Sequence, residues 1–471
     1  MQFTDRKIIL GLIVLQLLIC LPFIQSFPIA LDEPFSIFYA QQDLSEFIPK
    51  INEGNNSPLH FILLHFWIKC FGISALSVRS LSLLFSILII PLLFSLGKRV
   101  TNRDFGILIV LIFSFSRFHH YHAMEARMYS LFILLFTALI YQLVKVIFDQ
   151  KNRLLLITTF NILLFYTHYL SIFVFAAELV LFIVFFKDIR PKLNKVMLNI
   201  LVTLIGFYPG IKILLSRTQN MNETWVMKPH WTELYGNVIR FFNSTLTLIS
   251  CILIVVLLIV FNRGKDMLNV KQLFKNKFFK MFFILFGAPY FGMFIFSLTV
   301  QPVFLDRYLL FVSIPLYIIL GMLLWHFLKG TRFYLTLLII IPMVVSVNYK
   351  PATNRDVQEI AKFTKKHVLD ETEIYLSPPW IEFQFYYHYN VNLFKDYQSI
   401  TTNVEDNIHS IYSLKDIKLS SDLIFINSLE GYVKSDLEIR SYFNKTHELE
   451  DHLILNELYL LYSFKVKNGK L

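Results

Sequence analysis

Residues 8–30 read IILGLIVLQLLICLPFIQSFPIA, and they lead directly into LDEPFS at residues 31–36. An apolar helix of about 20 residues is long enough to cross the hydrocarbon core of a bilayer, so this stretch predicts a membrane span. A secretory signal peptide would have a shorter apolar core and a small-residue cleavage site, so we interpret the segment as an uncleaved first span. The adjacent carboxylates Asp32 and Glu33 are then expected at the far membrane surface.

The composition of the whole chain is that of a membrane protein. Of 471 residues, 55% are hydrophobic and 16% are charged, and the mean hydropathy is +0.56, which leaves too little polar surface for a soluble globule. The formal net charge is +11. Because Lys and Arg cluster in short connectors between apolar runs, this charge indicates membrane topology and argues against nucleic-acid binding. Cys20, Cys70 and Cys251 lie far apart in apolar stretches and show neither disulfide nor metal spacing.

Hydropathy and basic connectors together predict a polytopic α-helical membrane protein. We predict eleven spans, at 8–29, 78–97, 104–122, 128–148, 154–169, 170–187, 196–215, 242–262, 279–299, 308–328 and 332–349. With the N-terminus in the cytoplasm, nearly every basic cluster falls on the cytoplasmic side, including KRVTNR (98–103) and KDIRPKLNK (187–195). His168 and Glu178 interrupt the stretch 154–187, and a single span there would reverse the topology that follows.

Two regions outside the spans have patterns of their own. In the first outer loop, 30–77, apolar residues at helical spacing between 33 and 51 predict an interfacial helix, and 57–72 predicts a second surface-lying or re-entrant helix. Residues 350–471 are polar and mixed in pattern, with a predicted amphipathic helix at 354–369 and strands in EIYLS, DLIFINS and ELYLLYSFKV. We therefore predict a membrane domain, 1–349, and a small extracytoplasmic α/β domain, 350–471.

The predicted topology brings ionisable residues to one membrane face. They are Asp32 and Glu33 after span 1, Glu125, Arg127 and Tyr129 at span 4, His168 at the turn between spans 5 and 6, and Asp306, Arg307 and Tyr308 at span 10. Such groups at the rim of a helical bundle are functional candidates, because burying them unpaired is costly. A carboxylate can accept a proton from a hydroxyl nucleophile, and guanidinium groups can hold a phosphate.

Structural interpretations of the same residues stay open. Asp32 and Glu33 also suit the first turn of the loop helix. Arg127 and Arg307 also suit interfacial snorkelling, or ion pairs with Glu125 or Asp306. His168 also suits a structural hydrogen bond, and the spacing of the cluster His119, His120 and His122 does not match a zinc site.

Several short motifs follow one another along the chain. They are LDEPFS after span 1, NSPLHFILLHFWIKCFGISALSVRSLS before span 2, RFHHYHAMEARMYSL at spans 3 and 4, YTHYL at spans 5 and 6, DRYLL at span 10, and NRDVQEIAKFTKKH with EIYLS and YYHYN in the outer domain. Their order resembles that of the GT-C glycosyltransferases of the protein O-mannosyltransferase and aminoarabinose-transferase type. The resemblance covers essentially the whole chain, and its specificity comes from the order of the motifs on one membrane face.

This resemblance implies a multi-pass enzyme of the inner (plasma) membrane, which transfers a hexose or pentose from a polyprenyl-phosphate donor to a hydroxyl of a glycan, lipid or protein acceptor, with inversion and without a metal or other cofactor. Asp32 matches the acid presumed to be the general base, and Glu33 is its neighbour. The donor-phosphate and substrate-binding positions that it implies are Arg127, Glu125, Tyr129, Arg307, Tyr308, His168 and Arg79. In the stretch that reads Asn55-Asn56-Ser57-Pro58-Leu59, many members of the resembled family carry Lys or His with two prolines; an amide replaces the basic group here, so the resemblance leaves the sugar unspecified.

Two other functions use the same membrane setting. A transporter or flippase of lipid-linked glycans would recognise its cargo without chemistry, and would place ionisable groups near the bilayer midplane in repeated halves. This chain concentrates its charges at one rim and shows no repeat, although Glu178 lies inside predicted span 6. A glycan polymerase with a lipid-diphosphate donor is the third function, and the order of the motifs argues against it.

Overall fold

The computed structural model describes residues 3–53, 56–218, 226–261, 270–327, 337–347, 357–369, 371–396, 407–429, 431–433, 435–455 and 458–467. The chain folds as two compact units. The helical unit comprises Met1–Ile24, Ile48–Leu63 and Arg79–Tyr349. The sheet unit comprises Gln25–Phe47, Leu64–Val78 and Lys350–Leu471. It therefore contains two pieces of the first outer loop, whereas the domain boundary predicted at 349/350 rests on membrane location and stays a prediction.

Helices dominate the described part of the chain. In chain order, the α-helices are Phe3–Cys20, Asp32–Gln41, Leu44–Glu53, Pro58–Phe71, Ala75–Val100, Arg103–Ser114, Arg117–Ala123, Tyr129–Ile147, Leu154–Thr167, Ile172–Val184, Phe186–Ile189, Leu193–Thr218, Thr232–Phe241, Thr245–Phe261, Val270–Lys275, Lys277–Thr299, Ser313–Phe327, Ile340–Ser346, Val357–His367, Glu382–Tyr389, Val391–Lys395 and Asp436–Phe443.

The prediction of a polytopic helical membrane protein is confirmed. Within the described ranges, six helices are long and apolar enough to cross a bilayer, at Thr4–Phe23, Ala75–Val100, Tyr129–Ile147, Phe186–Leu215, Lys277–Thr299 and Asp306–His326. A pair bent by 81°, Thr232–Phe241 with Thr245–Ile254, makes a seventh if it is one span. Shorter apolar helices cover Pro58–Phe71, Leu154–Thr167 and Tyr169–Val184. The number eleven stays a prediction. Of the predicted span 332–349, residues 337–347 are described, as one turn of 3₁₀-helix, Leu337–Ile339, and the short helix Ile340–Ser346.

The predicted span 104–122 is divided into two helices in the structure, Arg103–Ser114 and Arg117–Ala123. The side chain of Asn243 supports the break, because its Oδ1 accepts from the backbone N–H of Arg117 at 2.7 Å and its Nδ2 donates to the carbonyl of Phe115 at 2.9 Å. These bonds satisfy backbone groups that an unbroken helix would pair internally. The sequence pattern predicted apolar length correctly but not this long-range capping.

The stretch 154–187 forms two helices, in agreement with the two spans predicted at 154–169 and 170–187. The helix Leu154–Thr167 ends where His168 takes up an extended conformation, and the second helix begins at Ile172 after one turn of 3₁₀-helix. His168 Nδ1 accepts a hydrogen bond from the backbone N–H of Leu170 at 3.2 Å. The turn therefore fixes His168 between the two helices and outside both.

Close packing in the helical unit depends on glycine where the helices Ala75–Val100 and Arg103–Ser114 meet. A Cβ atom at Gly97 would lie 2.7 Å from the Cα of Gly106, and a Cβ at Gly106 would lie 2.7 Å from the carbonyl oxygen of Phe94. Neither distance is possible for a real side chain. The two helices can therefore approach backbone to backbone only because both positions lack a Cβ.

The small C-terminal α/β domain is confirmed as a five-stranded mixed sheet. The strands are β1 Glu373–Ser377, β2 Ile408–Ser410, β3 Leu423–Ser428, β4 His447–Leu455 and β5 Tyr459–Val466. Their order is β2-β1-β3-β5-β4; β2, β1 and β3 run parallel, while β5 is antiparallel to both β3 and β4.

Both faces of the sheet are covered. Ile424 and Ile426 of β3 pack in one hydrophobic core with the helix Val357–His367, whereas Leu423 and Phe425 pack in the other with the helix Asp436–Phe443. This alternation is the period-two pattern of a strand buried on both faces. The predicted helix and three of the strands are confirmed. β2 and β4 were missed because β2 has only three residues and β4, HELEDHLIL, is an edge strand with mostly polar side chains.

The first outer loop forms helices, as predicted. Asp32–Gln41 and Leu44–Glu53 replace the single predicted interfacial helix, with a break at Gln42, and Pro58–Phe71 corresponds to the second. Ala30 lies in the same hydrophobic core as β1 and β3, so the start of the loop is part of the sheet unit. The location of these helices at the membrane interface stays a prediction.

Candidate functional site

The turn between the helices Arg117–Ala123 and Tyr129–Ile147 carries Glu125 and Arg127, both about 6% exposed. The backbone N–H of Arg127 donates to the carbonyl of Glu125 at 2.7 Å, and Ser130 Oγ donates to the carbonyl of His122 at 2.8 Å. Ser82 Oγ, from the helix Ala75–Val100, donates to the carbonyl of Arg127 at 3.4 Å. Local and long-range bonds therefore hold this charged turn within the bundle.

His122 is a functional candidate that the sequence prediction missed. Its Nδ1 donates to Glu125 Oε2 at 2.7 Å, both side chains are less than one-tenth exposed, and its ring lies 4.6 Å from the ring of Tyr129. The i, i+3 spacing of His122 and Glu125 was a signal for such a pair. In the sequence, the neighbouring His119 and His120 obscure this signal.

A short 3₁₀-helix, Asp306–Val312, positions Arg307 and Tyr308. Asp306 Oδ1 accepts from the backbone N–H of Arg307 at 2.7 Å, and Asp306 Oδ2 pairs with Arg240 Nη1 at 3.1 Å. The Arg307 guanidinium lies 5.6 Å from the centre of the Tyr308 ring, within cation–π range. Asp306 therefore anchors the start of the motif through Arg240, a partner that the sequence did not indicate.

Four of the predicted residues meet in one pocket. Tyr129, His168, Arg307 and Tyr308 line it together with apolar side chains such as Phe132, and the His168 and Tyr308 rings are 4.8 Å apart. The pocket measures only about 10 Å³, close to the volume needed for one water molecule. A phosphate group is larger, so its entry requires side-chain movement.

Arg127 and Arg307 both act on this pocket electrostatically. Burial first, and then the positive charges of Arg127 and Arg307, lower the pKa of His168 to about 3. The imidazole is therefore neutral at physiological pH and does not add a third charge. Arg307, a neutral imidazole and two phenol side chains line the pocket, and the positive charge of Arg127 acts on the same imidazole, so the environment is suited to an anion such as a phosphate.

Arg127 also reaches Asn56, in the stretch NNSPL at residues 55–59. Its Nη2 lies 3.5 Å from Asn56 Oδ1, the long limit of a hydrogen bond. Nearby, burial and then the charge of Arg127 lower the pKa of His60 to about 3. The amide at position 56 therefore lies beside the cationic site, whereas Asn55 lies outside the described residues.

Arg79 has a different environment from Arg127 and Arg307. Its side chain is fully buried, and Nη1 donates to the carbonyl of Ile24 at 2.9 Å. That bond ties the end of the first span to the helix Ala75–Val100. This contact favours a structural role for Arg79, whereas the substrate-binding role that the resemblance implies stays a prediction.

Asp32 and Glu33 belong to the sheet unit. They form the first turn of the helix Asp32–Gln41, where carboxylates are favourable to the helix dipole. Glu33 is fully buried and Asp32 is partly buried. Leu31 precedes them with φ of 58°, and its backbone N–H donates to Gln384 Oε1 at 3.1 Å, so the entry to this helix is fixed within the sheet unit. Their predicted catalytic roles stay predictions.

The three clustered histidines have separate partners. His119 Nε2 lies 2.7 Å from Ser313 Oγ, His120 Nε2 donates to the carbonyl of Ile19 at 3.0 Å, and His122 pairs with Glu125. In the part of the chain that the structure describes, no three His, Cys, Asp or Glu side chains come together as a metal site.

Comparison with known proteins agrees with the motifs. Residues 55–212 match the family described as dolichyl-phosphate-mannose-protein mannosyltransferase. The structure is similar to ArnT from Cupriavidus metallidurans in the apo state, with a TM-score of 0.58 and 10% sequence identity over 96% of this chain and 98% of that chain. The chain has the GT-C glycosyltransferase fold.

A second structure of the same ArnT, bound to undecaprenyl phosphate, is similar with a TM-score of 0.55 and 10% identity over 97% of each chain. Among curated protein sequences, none matches this chain. The resemblance predicted from motif order is therefore confirmed, as a sequence match over residues 55–212 and as a shared fold over nearly the whole length.

Proposed function

We propose that this protein transfers a hexose or pentose from a polyprenyl-phosphate donor to a hydroxyl group of a glycan, lipid or protein at the outer face of the inner membrane. The observation that carries the proposal is the pocket around His168, on which both Arg127 and Arg307 act. The shared fold with an ArnT that binds undecaprenyl phosphate supports the lipid-phosphate donor. The eleven-span topology, with a cytoplasmic N-terminus and an extracytoplasmic C-terminal domain, belongs to the same proposal.

In the proposed reaction, the carboxylate of Asp32 accepts the proton of the acceptor hydroxyl as its oxygen attacks the anomeric carbon. A new carbon–oxygen bond forms on one face while the bond from the anomeric carbon to the phosphate oxygen breaks on the other, so the configuration inverts. The lipid phosphate leaves with the bonding electrons, and Arg127 and Arg307 stabilise its charge. Glu125 orients the turn that carries Arg127, and Tyr129 and Tyr308 contact the donor.

A binding experiment tests the phosphate site. We expect Arg127→Ala and Arg307→Ala each to weaken binding of undecaprenyl phosphate by roughly 10- to 100-fold, because a hydrogen bond to a charged group contributes about 1.5–3 kcal/mol. Arg117→Ala is the matched control, since it removes an exposed arginine of the same segment. Binding to purified protein in nanodiscs is measured by microscale thermophoresis. Equal affinity in all three variants would overturn the assignment of the phosphate site.

A turnover experiment tests the base. With radiolabelled polyprenyl-phosphate hexose and pentose donors and a crude envelope extract as acceptor, we expect Asp32→Asn to lower transfer by about 10²- to 10⁴-fold while undecaprenyl phosphate still binds. Asp43→Asn, an exposed carboxylate of the same loop, should keep full transfer. Glu33→Gln tests whether the neighbouring carboxylate, rather than that of Asp32, accepts the proton. Full transfer by Asp32→Asn would show that another group takes the proton.

A further inference from the structure

Three exposed aromatic side chains lie together in the C-terminal sheet domain. Trp380, Tyr432 and Tyr412 are 49%, 55% and 61% exposed, and they form a row with Tyr432 in the middle. Its ring centroid is 6.0 Å from that of Trp380 and 5.5 Å from that of Tyr412. Large aromatic side chains are normally covered by the fold, so a contiguous exposed row marks a surface used for binding.

The topology of the sheet explains why these residues meet. Trp380 follows β1, Tyr412 follows β2 and Tyr432 follows β3, and these three strands are parallel neighbours. The carboxyl ends of parallel strands share one edge, where ligands bind in open α/β sheets. Gly431 brings the loop after β3 against the loop after β1, because a Cβ at this position would lie 2.6 Å from Pro378 Cδ.

A cleft of about 410 Å³ opens beside the row. Tyr412 and Tyr432 line it. Its polar lining consists of the cations Lys415 and Lys445, the anion Glu438 and the hydroxyl group of Ser441. Its volume is in the range of small-ligand sites. The helix Asp436–Phe443 carries Glu438 and Ser441, and its N-cap Ser435 fixes it by accepting from the Glu438 backbone N–H at 3.1 Å.

We propose that this cleft is a saccharide-binding site. A sugar ring presents C–H groups on one face, which pack against the electron-rich faces of aromatic rings, and it presents hydroxyl groups at its edge, which both donate and accept hydrogen bonds. The aromatic row supplies the first kind of contact, and the ammonium, carboxylate and hydroxyl groups of the cleft supply the second.

The binding site is distinct from the pocket around His168 and does not depend on the transfer reaction. Its use, to hold the glycan part of an acceptor or product, rests on the proposed function. The test is therefore a binding measurement that needs no donor and no turnover. It requires a detergent without a sugar head group, because glycosidic detergents would compete for the site.

The experiment is saturation-transfer difference NMR on the full-length protein, with a panel of neutral, amino-sugar, uronic-acid and phosphorylated oligosaccharides at millimolar concentration. We expect saturation of the ring C–H protons of at least one class. Trp380→Ala and Tyr432→Ala should each weaken that binding roughly threefold to tenfold, and Trp380→Phe should keep most of it. Leu437→Ala is the control, because Leu437 is 79% exposed on the neighbouring helix and belongs neither to the aromatic row nor to the lining of the cleft.

Two results would overturn the proposal: no saturation of any panel member by the wild-type protein, or equal saturation by the Trp380→Ala/Tyr432→Ala double variant. Capture of a protein partner by the wild type but not by this variant, without saccharide binding, would assign the row to protein docking instead. Thermal unfolding confirms that each variant is folded, and Tyr412→Ala replaces any variant that is not. Asp32→Asn should bind saccharide like the wild type, which separates this test from that of the proposed reaction.

Discussion

His168 shows how strongly a single position can depend on its neighbours. The sequence marks it only as a polar residue within an apolar stretch, for which a structural hydrogen bond is an adequate explanation. In the structure it does make a local bond, to Leu170, and it also lies in the pocket with Arg307 and Tyr308. The motif order predicted its place in the site, but the electrostatic effect of two arginines on one ring follows only from three-dimensional packing.

The lowered pKa of His168 predicts acid sensitivity. The usual value is 6.5 and the folded value is about 3, so between these pH values the unfolded chain binds one proton more than the folded chain. Stability therefore falls as the pH decreases from 6.5 towards 3, by up to about 1.4 kcal/mol per pH unit for this residue. We expect His168→Gln to reduce the loss of thermal stability between pH 7 and pH 5.

The measurement is the unfolding temperature of the purified protein at the two pH values. His230→Gln is the control, because His230 is exposed. The difference between the two pH values is the informative quantity, since it is insensitive to a uniform loss of stability in the variant. An unchanged difference in His168→Gln would show that the folded protein protonates this imidazole as readily as the unfolded chain does.

At the scale of elements, the sequence predicted apolar length well and helix breaks poorly. Hydropathy is a local sum, so spans such as 128–148 and 279–299 agree with the helices Tyr129–Ile147 and Lys277–Thr299 within about two residues. The break at Phe115 and Ser116 depends on Asn243, which is more than a hundred residues away. No local sequence pattern contains that information. The same apolar run is compatible with an unbroken helix and with a helix that breaks where a distant side chain hydrogen-bonds to its backbone.

Asn243 therefore carries an element-scale prediction. Besides its two bonds at the helix break, its Nδ2 donates to the carbonyl of Met343 at 3.1 Å, and its φ is 69°, a conformation that Asn tolerates better than most residues. We expect Asn243→Ala to lower the free energy of unfolding by about 1–3 kcal/mol, since it removes three hydrogen bonds to exposed or partly buried backbone groups. Asn243→Gly should cost about 1 kcal/mol less, because glycine adopts a positive φ without strain.

Denaturant or thermal unfolding in detergent gives both values. Asn194→Ala, at an exposed position on the helix Leu193–Thr218, is the control. If Asn243→Ala unfolds like the wild type, the break is maintained by the apolar packing of the two helices rather than by this side chain.

At the scale of the whole molecule, the sequence separated a membrane domain from an outer domain at residue 350, on hydropathy alone. The two compact units of the structure have different boundaries, because residues 25–47 and 64–78 join the C-terminal residues. Hydropathy describes where a segment lies relative to the bilayer, whereas a compact unit is defined by what each segment packs against. The helix that carries Asp32 is thus predicted for an interface, yet Leu31 at its start and Gln41 at its end bond to residues 353 positions away in the chain.

Phe383 is the clearest of these partners. Its ring centroid lies 4.7 Å from that of Phe38, 5.7 Å from that of Phe35 and 5.9 Å from that of Tyr39, all on the helix Asp32–Gln41. The sheet unit therefore holds the proposed base through an aromatic cluster. In the proposed function, the C-terminal domain would then act on catalysis by fixing the position of Asp32.

We expect Phe383→Ala to lower the free energy that holds the helix Asp32–Gln41 in its packed position by about 2 kcal/mol. The substitution removes three aromatic contacts and partly buried apolar area. Hydrogen exchange of the amides in Asp32–Gln41, followed by mass spectrometry, should become faster by roughly tenfold or more. Val391→Ala, which truncates a 42% exposed side chain of the neighbouring helix, should leave this exchange unchanged. Transfer should decrease in Phe383→Ala while undecaprenyl phosphate binding persists, since Arg127 and Arg307 belong to the helical unit. Faster exchange without any loss of transfer would mean that a fixed Asp32 is not required for the reaction.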